Sequence, residues 1–212
     1  MIKQFTFNHF EVNCYLIVDE ATKQCAIVDP ACEASFEDAQ LTQYIEQEQL
    51  QVTQILLTHA HVDHIAGLRQ VCEHYKLPVT MHTEGRKLLK QAEAYGSVMG
   101  FAVDNMDDIE VLEIEDNQVL KIGNTEMECR YVPGHCPGSM CYVLPQDKAV
   151  ITGDALFHFS IGRTDLPGGD YPTLIEKLKT RILTLPDDYR VLPGHGIASQ
   201  IGKERKYNSF LQ

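Results

Sequence analysis

The run Thr58-His59-Ala60-His61-Val62-Asp63-His64 constrains this chain more than any other feature. Four of its seven residues can bind a metal, in the pattern H-x-H-x-D-H. The apolar stretch Gln54-Ile55-Leu56-Leu57-Thr58 before it reads as a buried strand. After it, Ile65, Leu68, Val71, Cys72 and Tyr75 fall at helical spacing and predict an amphipathic helix over 65–75. The ligand-capable residues therefore sit where a strand gives way to a helix. Residues two apart in an extended segment face one side. His59, His61 and Asp63 thus point together, and the turn into the helix swings His64 round to join them. Imidazole and carboxylate are donors that zinc, manganese and iron accept without any thiolate.

The rest of the chain is expected to form one domain over residues 1–212. Its length suits one sizeable core, and no linker, tandem repeat or low-complexity tract divides it. A net charge of −12 repels phosphate backbones, which argues against a nucleic-acid partner. No apolar run approaches a membrane span, and Met1 to His9 has no apolar signal-peptide core. The seven cysteines, at 14, 25, 32, 72, 129, 136 and 141, are odd in number and form no C-x-x-C pair. Reduced, mostly buried thiols in a cytoplasmic protein without a membrane partner are the expectation. The oligomeric state is left open by the sequence.

Strands are predicted at 2–7, 13–19 and 24–29, the last two as a hairpin, followed by a surface helix over 36–49. A short strand at 78–82 and a helix over 83–95 follow the ligand run. Residues 96–110 read as a loop or lid. Strands at 118–122 and 125–132 pair across Gly123-Asn124. Two more strands, at 140–144 and 148–152, precede a long loop over 155–170, a helix over 171–183, a last strand at 190–192 and a short polar tail from Ser199.

Three further ligand-capable residues recur in one setting. His135, Asp154 and His195 each follow a strand beside glycine, in Gly134-His135, Gly153-Asp154 and Gly194-His195-Gly196. Glycine allows a sharp turn and a close approach. Taken with Asn13-Cys14-Tyr15-Leu16, Ala26-Ile27-Val28-Asp29-Pro30, THAHVDH, PGHCPGS, TGD and LPGHG, the chain resembles the metallo-β-lactamase fold superfamily. Within it, the loop Ser160-Ile161-Gly162-Arg163-Thr164-Asp165 is most similar to short glyoxalase II-like hydrolases lacking the appended helical domain. The resemblance implies an α/β fold: a four-layer αββα sandwich of two mixed sheets with helices on the outer faces.

Carried over by residue, the resemblance implies one metal on His59, His61 and His135 and another on Asp63, His64 and His195, with Asp154 bridging both. Two divalent metals are expected, zinc first, with iron or manganese as alternatives. The implied activity is cleavage of a small thioester such as S-D-lactoylglutathione, a hydroxyacylglutathione, by a metal-bridging hydroxide. Asp63 and Asp154 would be its catalytic carboxylates. Asp154 in place of a cysteine argues against an antibiotic-hydrolysing β-lactamase. The main rival is a persulfide dioxygenase with a single iron on His59, His135 and Asp154. A weaker one is a non-catalytic metal-binding domain.

Substrate contacts are read from fewer signals. Arg163 and His158 are candidates, and Lys203, Arg205 and Lys206 are possible sources of positive charge. His9, His74 and His82 read as surface or core histidines. Cys136 stands where the family more often carries threonine, and reads either as a small packed residue or as a thiol beside the metal that oxidation switches.

Overall fold

A computed structural model describes residues 1–212. The first of two large sheets contains β1 (Ile2–Phe7), β2 (Val12–Val18), β3 (Gln24–Val28), β4 (Gln51–Leu56), β5 (Val79–His82) and β6 (Val111–Ile114), in that spatial order. β1 to β3 are antiparallel and β3 to β6 parallel, so the sheet is mixed. Parallel neighbours need crossovers. These are supplied by α1 (Ser35–Gln47), α2 (Leu68–Tyr75), and the pair α3 (Arg86–Lys90) and α4 (Ala92–Met99). Next come β7 (Val119–Ile122), β8 (Thr125–Tyr131), β9 (Met140–Leu144) and β10 (Ala149–Gly153). A small hairpin of β11 (Leu156–Phe157) and β12 (Ser160–Ile161), then α5 (Tyr171–Lys177), lead to β13 (Arg190–Pro193), β14 (Ser199–Gln200) and α6 (Ile201–Tyr207). The second sheet orders these as β14-β13-β10-β9-β8-β7, with β13 and β10 parallel and the rest antiparallel.

Alternation along the central strands explains the layering. In β2, Cys14, Leu16 and Val18 pack with Leu41 and Ile45 of α1 and Leu68 and Val71 of α2, while Tyr15 and Ile17 turn to the other sheet. In β9, Met140, Tyr142 and Leu144 meet the first sheet, while Cys141 and Val143 pack under Leu174 of α5 and Ile201 of α6. Strands buried on both faces need a cover on each. Three apolar layers result, and with them the four-layer αββα sandwich.

The structure corrects several expected boundaries. The helix expected over 83–95 is a 3-10 turn at Thr83–Gly85, then α3, then α4. α4 runs to Met99 and closes on Gly100 at φ +85°, the left-handed residue that favours glycine at a helix end. Residues 96–99 are therefore helix, and Phe101, Val103 and Met106 beyond them are buried. β6, the β11–β12 hairpin, β14 and α6 lie in stretches the sequence left unassigned or read as loop and tail. α2 starts at Leu68 because tight turns fill Ile65 to Gly67, with His64 N on His61 O at 3.0 Å and Leu68 N on Ile65 O at 3.0 Å. No helix is long and apolar enough to cross a membrane. All seven cysteines are buried and unpaired.

Candidate metal centre

Strand ends deliver the candidate ligands to one edge of the sandwich. β10 and β13 run parallel, so Asp154 and His195 emerge side by side, and Gly194 N donates to Gly153 O at 2.8 Å. β4 brings the His59 to His64 run to the same edge from the first sheet. Met140 N on Thr58 O (2.8 Å) and Asn13 N on Gly194 O (2.7 Å) tie the two sheets together there. His135 comes from the loop joining β8 to β9. Gly194 is needed for space, since a Cβ there would lie 2.2 Å from Asp154 Oδ1 and 2.7 Å from His64 Cε1. Gly134 is needed for both reasons, with φ +120° and a Cβ that would meet the Leu174 backbone at 2.5 Å.

All seven expected ligands converge. The ligand atoms of His59, His61 and His135 lie within 4.8 Å of one another, and so do those of Asp63, His64 and His195. His135 Nε2 is 3.0 Å from His61 Nδ1, and His64 Nε2 is 3.3 Å from His195 Nε2. Asp154 lies between the groups: Oδ1 is 3.3 Å from His64 Nε2, and Oδ2 is 3.7 Å from His135 Nε2 and 3.5 Å from His195 Nε2. His195 Nε2 is also 3.3 Å from Asp63 Oδ2.

The outer ring nitrogens fix which atoms face inward. His195 Nδ1 donates to Phe10 O (2.8 Å) and His135 Nδ1 to Arg163 O (2.8 Å). His64 Nδ1 donates to Asp29 Oδ2 at 2.9 Å. Thr58 Oγ1 gives its proton to Asp29 Oδ2 (2.6 Å), so it accepts from His59 Nδ1 (3.0 Å). Each of these four rings thereby turns Nε2 into the centre, the atom through which ligation would run once it carries no proton. His59 Nε2 and Asp154 Oδ1 are buried without a hydrogen-bond partner. Two orphaned acceptors amid converging imidazoles and carboxylates are satisfied by a positive charge, so the residues present fit a metal.

The two groups differ in charge. Burial, then the neighbouring His64 and His61, holds His59 well below the ordinary imidazole range. Burial and His135 bring His61 down to about 4. Burial also acts to lower His64 and His195, but carboxylates outweigh it. Asp154, Asp63 and Asp29 raise His64, and Asp154 and Asp63 raise His195 to about 9. Against the opposing effect of burial, His64 holds both Asp63 and Asp154 below the usual carboxylate range.

A cleft of about 500 Å³ opens over the centre. His61, Asp63, His135, Asp154 and His195 form its floor, and Arg163 is in its wall. His158 is not among the lining residues; its ring lies 4.0 Å from that of Phe159. Lys203, Arg205 and Lys206 are also outside it. Arg205 clamps the carbonyls of Leu183 and Leu185 and pairs with Asp187, and Lys206 sits over the Tyr207 ring. Of the other histidines, His9 stacks on Phe101 (4.4 Å), His82 on Tyr131 (4.2 Å), and His74 meets the edge of Tyr75. Cys136 lies beside the three-histidine group, buried, with Sγ 3.2 Å from Ser139 Oγ. Burial pushes its thiol up to about 12, the opposite of what a reactive thiolate needs.

Sequence reasoning missed the residues that hold the candidate ligands in place. Asp29 accepts from Thr58 N (2.7 Å), Thr58 Oγ1 and His64 Nδ1. Asn8 Nδ2 donates to Asp63 O at 2.8 Å, and Asn13 Nδ2 donates to Pro193 O and Gly196 O around His195. The Asp29 signal was present as an acidic residue closing a strand before proline.

Residues 8–195 match the family described as the metallo-beta-lactamase superfamily. The hydroxyacylglutathione hydrolase GloC of Haemophilus influenzae is 36% identical over 209 residues, covering 95% of this chain and 93% of that protein. Among solved structures, the BLEG-1 B3 metallo-beta-lactamase aligns over 100% of both chains at 34% identity and TM-score 0.86. TTHA1623, solved in a di-iron-bound form, aligns over 99% of this chain and 100% of its own at 32% identity and TM-score 0.87.

Proposed function

Since the chain belongs to the metallo-beta-lactamase superfamily of hydrolases, we propose that it binds two divalent cations, zinc first, and cleaves a small thioester, the bond that hydroxyacylglutathiones carry, whatever thiol forms its leaving group. The observation that carries this reading is the pair of converging triads with Asp154 between them. His59, His61 and His135 would hold one cation, Asp63, His64 and His195 the other, and Asp154 both. Divalent cations held in this way polarise a carbonyl and lower the pKa of a shared water to about 7. The chain's own part is orientation. Phe10 O, Arg163 O, Asp29 and Thr58 hold the rings with Nε2 inward. Asp63 and Asp154, held ionised, are the cleft carboxylates able to accept a proton from water. In the reaction the water oxygen joins the acyl carbon, the C–S bond breaks, and a carboxylic acid and a thiol leave. A single iron on His59, His135 and Asp154 would leave Asp63, His64 and His195 converged without a role.

The test is metal content on protein purified without added metal, followed by an S-D-lactoylglutathione assay. About two cations per chain, with turnover lost on chelation, support the proposal. One iron per chain and oxygen uptake with glutathione persulfide would replace it with the dioxygenase. The likeness to a B3 enzyme makes a β-lactam amide the second reading, and hydrolysis of a chromogenic cephalosporin faster than any thioester would establish that instead.

A further inference from the structure

Resting on that thioester reading, we propose that the outer cleft selects substrates with uncharged, apolar substituents, because Asp165 already occupies the one guanidinium that faces it. The floor of the cleft takes the carbonyl, and its walls meet whatever flanks the carbonyl. Those walls are apolar: Phe10, Leu88, Tyr95, Met99, Leu166 and Pro167. Phe10, Tyr95 and Met99 are 38%, 39% and 46% exposed, so their apolar surface stands in water until a substituent covers it.

Arg163 is the only lysine or arginine in the lining. Its Nε and Nη2 donate to the two oxygens of Asp165 at 2.7 Å each, the two-pronged geometry a substrate carboxylate would need for itself. A carboxylate approaching Arg163 therefore meets Asp165 as well, and like charges side by side oppose binding. Cations elsewhere are committed or displaced. Arg69 is tied to Asp108 and Glu73, and Arg86 to Glu113. Lys87 and Lys90 are exposed on α3, outside the lining. The net charge of −12 adds a field that disfavours anions at longer range. Glutathione presents two carboxylates, and the cleft offers neither a free partner. A neutral thiol with an aryl or branched alkyl acyl group matches the walls better.

The experiment compares two thioesters with one acyl group, S-phenylacetyl-N-acetylcysteamine and S-phenylacetylglutathione, on the metal-loaded protein. The neutral thioester is expected to have a kcat/KM about tenfold higher. The non-cleavable thioethers S-benzyl-N-acetylcysteamine and S-benzylglutathione should bind in the same order by calorimetry, and added salt should narrow the gap. Asp165→Asn frees the guanidinium and should shift the ratio several-fold towards glutathione, with Asp165→Glu restoring it. Asp165 is exposed, so folding does not depend on it. Equal or better use of the glutathione compounds, or a ratio unmoved by Asp165→Asn, overturns the proposal. If neither thioester is cleaved but the thioethers keep their order, the thioester reading falls and the selectivity stands.

Discussion

The half of the centre made by His59, His61 and His135 is imidazole alone, while the half made by Asp63, His64 and His195 contains a carboxylate and is backed by another, Asp29. Burial differs too: the His135 side chain is 4% exposed and that of His195 27%. In the first half, burial and like neighbours keep His59 and His61 neutral. In the second, carboxylates make protons welcome on His64 and His195. A cation entering the first half meets free lone pairs, whereas one entering the second must displace protons. One edge of one sandwich thus holds two sites that answer differently to acid and to the loss of a supporting group.

The largest break is expected at Asp154, which both halves share. Asp154→Ala should lower the bound metal and reduce kcat/KM by more than about a hundredfold, beyond the loss typical of residues that only orient ligands. Metal analysis and thioester kinetics check this, and full retention of both cations and activity would falsify the bridging role. Asp29→Asn should act on one half. Losing the carboxylate behind His64 should weaken the second cation by about 10–100-fold and the first by less, read by competition with a coloured chelator. Equal weakening at both halves would show that Asp29 supports the whole edge through Thr58.

A smaller effect is expected at Asn8, whose amide donates to Asp63 O and Ala31 O. Asn8→Ala removes these two hydrogen bonds and the one that Asn8 Oδ1 accepts from Phe10 N, each worth about 1 kcal/mol net. It should lower the melting temperature by several degrees and weaken the second cation a few-fold, leaving the three-histidine half unchanged.

The asymmetry in support also explains what the sequence could convey. The seven candidate ligands were legible because side-chain type and spacing announce them: H-x-H-x-D-H offers four, and glycine beside a strand end marks His135, Asp154 and His195. Their supports were not, because Phe10 and Arg163 act through main-chain carbonyls, which carry no residue signature. The strands were legible wherever they alternate or run fully apolar, as in β2 and β9, while their stacking into a sandwich came from the resemblance. β11, β12 and β14 have two residues each, too few for a period to show. α6 is anchored mainly by Ile201 and by a buried Glu204 that accepts from Phe159 N and Asn208 Nδ2, a contact pattern hydrophobicity cannot reveal. Gly100 closes α4 at Met99, a stop signal that the helix end expected at Tyr95 passed over.

The most direct reading of the two halves needs no metal. His61 has an ordinary value of 6.5 and is lowered to about 4 in the fold, so the unfolded chain takes up a proton there that the folded chain refuses. Metal-free stability should therefore fall as pH drops from about 6.5 towards 4. His195 runs the other way. Raised to about 9, it contributes stability that is full below about 6.5 and is lost as pH climbs through 9. Asp63 and Asp154, held below the carboxylate range, add their own loss only at still lower pH. The melting temperature of the chelator-treated protein should thus decline on both sides of a maximum near neutrality, the acid limb set by the first half and the alkaline limb by the second. His61→Asn should make only the acid limb shallower, His59 supplying the rest of it, and His195→Asn only the alkaline one, where His64 remains. Scanning calorimetry across this range decides it: variants that leave both limbs unchanged would mean that the charge is not divided between the halves as their geometry divides it.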